Sequence, residues 1–200
     1  MQTIIFDLGG VLIDWNPMRL YRKVFPSEEK AQWFLENICT YEWNLLHDAG
    51  QPVEVGMREL AEKHPEWKEE IYAYYNRWEE MLGDAFEDTV SVLRKCVDQQ
   101  GLQVVALTNW SAETFPIAQK RFSFLDWFEE TVVSGAEKTR KPHPDIYHTL
   151  FERCGITPSK AVFIDDSLPN IEQAENLGVT GIHFEQGMNL EARLQELGVF

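Results

Sequence analysis

Three apolar runs of this 200-residue chain end on side chains that can do chemistry, and a fourth polar stretch lies between the last two. Asp7 closes "TIIF" and is followed at once by Gly9 and Gly10. Thr108 and Asn109 close "QVVAL", Lys141 stands just before Pro142 in "EKTRKPHPDIY", and Asp165 and Asp166 close "AVFI". Carboxylates serve as nucleophiles, proton carriers and ligands of hard cations, while an ammonium, a hydroxyl and an amide together hold an anion. Each stretch alone has a plain structural reading. Asp7 could form a turn, Thr108-Asn109 could cap a helix starting near Ser111, Asp165-Asp166 could cap one starting near Leu168, and Lys141 could be an exposed loop charge. Their joint placement at successive strand ends is what points to a site.

The elements that must position them follow from the hydrophobic pattern. Residues 3–7 read as a short buried strand. From Pro17 to about Leu82 the pattern is helical and rich in aromatics, with Ser27 as an N-cap, Pro52 and Pro65 near helix starts, and Gly83 as a stop. After residue 85 strands and helices alternate: "FEDTVSVLRKCVDQQ", "QVVALT", "AETFPIAQKRF" with Pro116 in its first turn, "ETVVS", "PDIYHTLFERC", "AVFID", "LPNIEQAENLG", "TGIHF" and "NLEARLQEL". Such alternation predicts an α/β fold, a doubly wound parallel sheet covered on both faces. Residues 1–14 and 85–200 then form the core, and 15–84 a small all-helical insertion. Ligands of open α/β sheets bind beyond the carboxyl ends of the strands, where all four polar stretches lie.

Composition narrows the partners. Thirty-three acidic against 18 basic residues give a formal charge of −15, which disfavours nucleic acid and anionic lipid. No apolar run reaches the roughly 18–20 residues of a membrane span. Cys39, Cys96 and Cys154 form no CxxC pair and read as reduced thiols, and no secretory signal is visible, so a cytoplasmic protein is expected. Oligomeric state is open between monomer and homodimer.

"FDLGGVL", "LTN", "KPHPDIY" and "FIDDSLPNI" resemble, in order, the four motifs of the haloacid dehalogenase superfamily of hydrolases, with a helical cap between the first and second. The resemblance implies that Asp7 attacks phosphorus or carbon to form a covalent intermediate that water cleaves. It implies that Asp7, the carbonyl of Gly9 and Asp166 hold Mg²⁺, with Asp165 and Asn170 as outer partners. Thr108 and the backbone N–H of Asn109 would bind phosphoryl oxygens, and Lys141 would neutralise charge. The cation and Lys141 would supply the positive field that an acidic protein needs for an anionic substrate.

Position 9 departs from that pattern. Phosphatases of the superfamily carry an aspartate there, which protonates the leaving group. Gly9 fits a branch resembling small-metabolite phosphatases, some acting on sugar phosphates. It also fits 2-haloacid dehalogenases, whose halide leaves without a proton. Dehalogenases usually carry a bulky aromatic at the Gly9 position and a threonine at that of Val11. Neither is present, and the Asp165-Asp166 pair suits a cation, so a small-molecule phosphomonoester is the expected substrate. A non-catalytic binding or regulatory module retaining the fold is the third reading.

The cap should exclude water and read the leaving group. Trp33, Trp43, Trp67 and Trp78 are expected in its core. Trp15 and Asn16, at the entry to the cap, and His47 and Asp48, in "YEWNLLHDAG", are candidate substrate contacts, with a solvated helix end as the alternative for His47. Tyr147 is expected to pack under the loop, Arg140 and His143 to be surface neighbours, and Trp110 either to wall the pocket or to support the sheet.

Overall fold

The computed structural model describes residues 2–200. The chain runs β1 (Gln2–Phe6), β2 (Ile13–Trp15), α1 (Met18–Val24), α2 (Glu28–Asn37), α3 (Tyr41–Asp48), α4 (Val53–Lys63), α5 (Lys68–Asn76) and β3 (Leu82–Ala85). It continues through α6 (Glu87–Asp98), β4 (Leu102–Thr108), α7 (Phe115–Arg121), β5 (Thr131–Val133), α8 (Ser134–Glu137) and α9 (Pro144–Cys154). The last elements are β6 (Ala161–Asp165), α10 (Leu168–Asn176), β7 (Thr180–His183) and α11 (Leu190–Glu196).

Five strands form one parallel sheet in the order β5-β4-β1-β6-β7. Alternation along each strand divides the core. Ile4, Phe6, Val104, Ala106, Val162 and Ile164 pack against α6, α7 and α11; Ile5, Val105, Leu107 and Phe163 pack against α9 and α10. Strands apolar on both faces are what such a two-sided sheet requires. The one polar intrusion at the start of β1 is satisfied, since the Thr3 hydroxyl donates to Gln103 Oε1 at 2.9 Å. From β1 the chain crosses to β4, whereas from β6 it crosses to β7 on the opposite side. The winding direction reverses between β1 and β6, opening a crevice at their carboxyl ends.

The stretch expected to be helical contains only helices from Met18 to Met81, but its two ends are strands. Ile13–Trp15 and Leu82–Ala85 pair antiparallel, so the chain leaves and re-enters the sheet side by side, with α1–α5 between. Strands of three and four residues, "IDW" and "LGDA", are too short to show a two-residue period. Gly83, expected to stop a helix, lies inside β3, where a Cβ would run into the Asp14 and Arg19 side chains, themselves an ion pair. The helix expected near Ser111 begins instead at Phe115, with Pro116 in its first turn.

The five helices hold together through packed aromatics. Tyr21 and Phe34 rings lie 4.9 Å apart, Phe25 and Phe34 5.1 Å apart, and the Tyr21 hydroxyl donates to the Glu70 carbonyl at 2.9 Å. Trp43 and Trp78 are buried as expected, but Trp33 is 46% exposed and Trp67 half-buried. Ser27 caps α2 by accepting from the Lys30 N–H, and Thr40 caps α3 by accepting from the Trp43 N–H.

Candidate active site

Burial and hydrogen bonding order the strand-end residues around Lys141. This side chain is 1% exposed, and its ammonium meets Asp7 Oδ1 at 2.9 Å, Asp165 Oδ2 at 2.6 Å and the Leu107 carbonyl at 2.8 Å. An ammonium has three protons, so all are used. The exposed-loop reading of Lys141 is thereby excluded. Its backbone is held from β4: Asn109 Nδ2 donates to the Lys141 carbonyl at 3.0 Å, and Asn109 Oδ1 accepts from the Lys141 N–H at 2.8 Å.

The three carboxylates differ in what they leave free. Asp165 is fully buried and receives the Ser167 N–H, Asn170 Nδ2 and Lys141. Asp7 and Asp166 line the open crevice together with Gly9. One oxygen from each of the three carboxylates lies within 4.8 Å of the others. Burial pushes the Asp7 carboxyl up to about 7 against the pull of Lys141, with Asp165 and Asp166 adding to the rise. Asp166 is also raised, by burial and by Asp165. Burial pulls the Lys141 ammonium down, but Asp165 and Asp7 outweigh it and the net shift is upward.

Above the carboxylates is a cavity of about 260 Å³, at the small end for a ligand site. Trp15, Tyr41, Tyr75, Trp78 and Trp110 form its walls, and Asn44, Asp48, Ser111 and Thr114 add polar lining. Trp110 therefore walls the pocket; its ring is fixed by a bond from Nε1 to Thr114 Oγ1 and by packing on Trp78 at 5.6 Å. Tyr147 lies beneath, its hydroxyl donating to the Asn170 carbonyl at 2.8 Å.

Three candidate substrate contacts, Thr108, Asn16 and His47, are not among the residues that line the cavity. Asn16 does not line the cavity, and its Oδ1 accepts from the Met18 N–H at the start of α1. His47 is fully buried among Trp43 and Tyr75, with Nδ1 on the Gln51 carbonyl and Nε2 unpartnered. It is neither a solvated helix end nor a cavity residue. Helical geometry explains the split: 41, 44 and 48 share one stripe of α3, while 43 and 47 share another. That spacing was the available signal for Tyr41 and Asn44, which sequence reasoning missed. Tyr75 and Ser111 come from other elements and carried no signal of their own.

A family model of haloacid dehalogenase-like hydrolases matches residues 1–178. The chain belongs to that family. Among its relatives is the phosphorylated carbohydrates phosphatase of Thermotoga maritima, 24% identical over 186 residues, covering 92% of this chain and 84% of the relative. A magnesium complex of a HAD family enzyme from Bacteroides thetaiotaomicron has a TM-score of 0.77 at 24% identity, over 98% of each chain. The L-2-haloacid dehalogenase of Xanthobacter autotrophicus has a TM-score of 0.66 at 18% identity, covering 99% of this chain and 83% of that one. At these identities the structural likenesses speak to the fold alone.

In this haloacid dehalogenase-like hydrolase the donor set fits the Mg²⁺ that the family implies. Three clustered carboxylates face a single ammonium, and hard oxygen ligands are what that cation takes. Thr108 is buried with its hydroxyl unpartnered among the described residues, a donor left free at the end of β4.

The two glycines after Asp7 are not equivalent. Gly10 has φ +77°, and a Cβ there would lie 2.6 Å from Asp166 Cγ; at Gly9 nothing lies within 4 Å of the same position. Gly10→Ala is therefore expected to displace Asp166 and cost about 1–2 kcal/mol from the left-handed backbone alone. Gly9→Ala should leave the unfolding midpoint nearly unchanged. Urea titrations of the two variants check the order, and equal losses would contradict this account of the turn.

Proposed function

We propose that this hydrolase releases inorganic phosphate from small phosphomonoesters, with Asp7 as the nucleophile and the α1–α5 insertion (about residues 15–84) as the cap over the reacting group. The observation that carries the reading is the pairing at the sheet's winding reversal. Lys141, held on three sides, keeps one face of Asp7 at 2.9 Å, while Asp7, Asp166 and the Gly9 backbone remain open to the cavity.

In this reading Asp7 attacks phosphorus and forms an aspartyl phosphate, which water then cleaves. Thr108, with its free hydroxyl, and the Asn109 N–H bind the phosphoryl oxygens, and Lys141 offsets their charge. Asn109 contributes a second effect through its side chain, which fixes Lys141. Asp165 holds Lys141 and the Ser167 N–H, and Asn170 in turn holds Asp165. Asp7, Asp166 and the Gly9 carbonyl would hold Mg²⁺, which when bound screens the anionic substrate from the carboxylates. Trp15, Trp78 and Trp110 exclude water and limit the leaving group to a small one, consistent with a carbohydrate-sized substrate such as the Thermotoga relative's name describes. The three free cysteines suit a reducing compartment, and we place the protein in the cytoplasm.

The test is a panel of small phosphomonoesters assayed with Mg²⁺ and with a chelator. Phosphate release that falls by about 100-fold or more on chelation is expected. Chloride release from 2-chloropropionate, unaffected by chelation and without any phosphate release, would overturn the reading in favour of a dehalogenase. No turnover of either class would favour a binding module.

A further inference from the structure

The cavity contains one carboxyl group that the scheme above leaves without work. Asp48 ends α3, is 8% exposed, and lines the same cavity as Asp7. It is held in place. The hydroxyls of Tyr74 and Tyr75 donate to Asn44 Oδ1 at 3.2 and 3.0 Å, which turns the Asn44 amide so that Nδ2 donates to Asp48 Oδ2 at 3.0 Å. Three polar side chains thus fix a buried acid that ends at the cavity wall. In the same cavity position 9 has no side chain, and among the described residues no atom lies within 4 Å of where a Cβ would project.

We infer that Asp48 is a catalytic residue, the proton carrier that the leaving group requires, supplied from the insertion rather than from position 9. The inference rests on the phosphatase reading and deepens it. As Asp7 bonds to phosphorus, the bond from phosphorus to the leaving oxygen breaks. That oxygen keeps the electron pair and takes the Asp48 proton. Asp48, now a carboxylate, takes a proton from water as the water oxygen bonds to phosphorus. The bond from Asp7 to phosphorus then breaks, releasing phosphate and restoring both side chains.

The electrostatics agree with this role. Burial pushes Asp48 up to about 7, with Arg140 and the Ser111 N–H pulling the other way. The other titratable groups facing it are Tyr41 on its own helix and Tyr74 and Tyr75 on α5, all held above the ordinary phenol range by burial. These phenols stay neutral through neutral pH, so Asp48 and Arg140 govern the local charge. A proton that must be present at the start of the reaction predicts activity falling as pH rises through about 7. His47, one residue earlier, is excluded by its burial away from the cavity.

The experiment compares wild type, Asp48→Asn and Tyr41→Phe on an alkyl phosphate, p-nitrophenyl phosphate and acetyl phosphate. An alkoxide needs a proton to leave; nitrophenolate and acetate do not. Asp48→Asn is expected to lose about 10²–10⁴ in kcat/KM on the alkyl ester. It should stay within about tenfold of wild type on acetyl phosphate, and lose the fall in activity above pH 7. Equal loss of kcat/KM, which does not report the later water step shared by every substrate, on all three would mean that Asp48 only positions or binds, and would overturn the inference. So would no loss on the alkyl ester, or a leaving-group-selective loss in Tyr41→Phe. A wild-type protein inactive on every phosphoester would instead sink the phosphatase reading itself.

Discussion

Asp7→Asn is expected to lower phosphate release by on the order of 10⁴-fold or more while leaving the fold intact. The amide is the same shape as the carboxylate but is a poor nucleophile, so the first bond to phosphorus does not form. Lys141 keeps its contacts to Asp165 and to the Leu107 carbonyl, so its ammonium is not stranded. Stability should move the other way from activity. Burial raises the Asp7 carboxyl to about 7, so between roughly pH 4 and 7 the folded protein retains a proton that the unfolded chain loses. Folding stability from this group is present at low pH and is lost as pH rises through 7. With chelator present, the variant should therefore melt higher than wild type at pH 8, and the gap should close toward pH 4. A variant that melts lower at pH 8 would contradict the burial cost assigned to this acid.

The second large effect is on Lys141. Replacing it with methionine keeps much of the stem's volume but removes the only ammonium bonded to Asp7 and Asp165 among the described residues. Breaking a buried pair strands the opposite charge, and here two carboxylates would be stranded and would repel each other. A loss of about 3–5 kcal/mol in urea unfolding at pH 8 is expected, with phosphate release lowered by at least about 100-fold. At low pH, where the carboxyls are protonated, the stability loss should shrink. Lys141→Arg should not restore activity, because a planar guanidinium cannot reproduce three bonds converging on one nitrogen. Unchanged stability at pH 8 would mean that the ammonium is not what holds these acids together.

The parts of this protein that its sequence made visible are those with a strong local signal. Asp7, Thr108-Asn109 and Asp165-Asp166 each close an apolar strand, and chain connectivity alone puts strand ends on one edge of a parallel sheet, while Lys141 was marked by its place before Pro142. Short or long-range features were not visible. The β2–β3 pair joins residues about seventy positions apart through strands too short to show a period. His47 and Asp48 are adjacent in sequence, yet the 100° turn of a helix sends one into the aromatic core and the other into the cavity. Asn109 was expected to act through its N–H, whereas its side-chain clamp on Lys141 depends on a loop 32 residues away. Asn16 looked like an entry contact, but its amide is used in starting α1.

The most direct measurement is mass spectrometry of the peptide containing Asp7, taken from enzyme quenched in acid during turnover with Mg²⁺ and a phosphomonoester. A phosphoryl group on Asp7, appearing within the first turnover and absent from Asp7→Asn, is the predicted result. Phosphate release with no phosphoryl group on Asp7, or with one on another residue, would contradict the account at its centre.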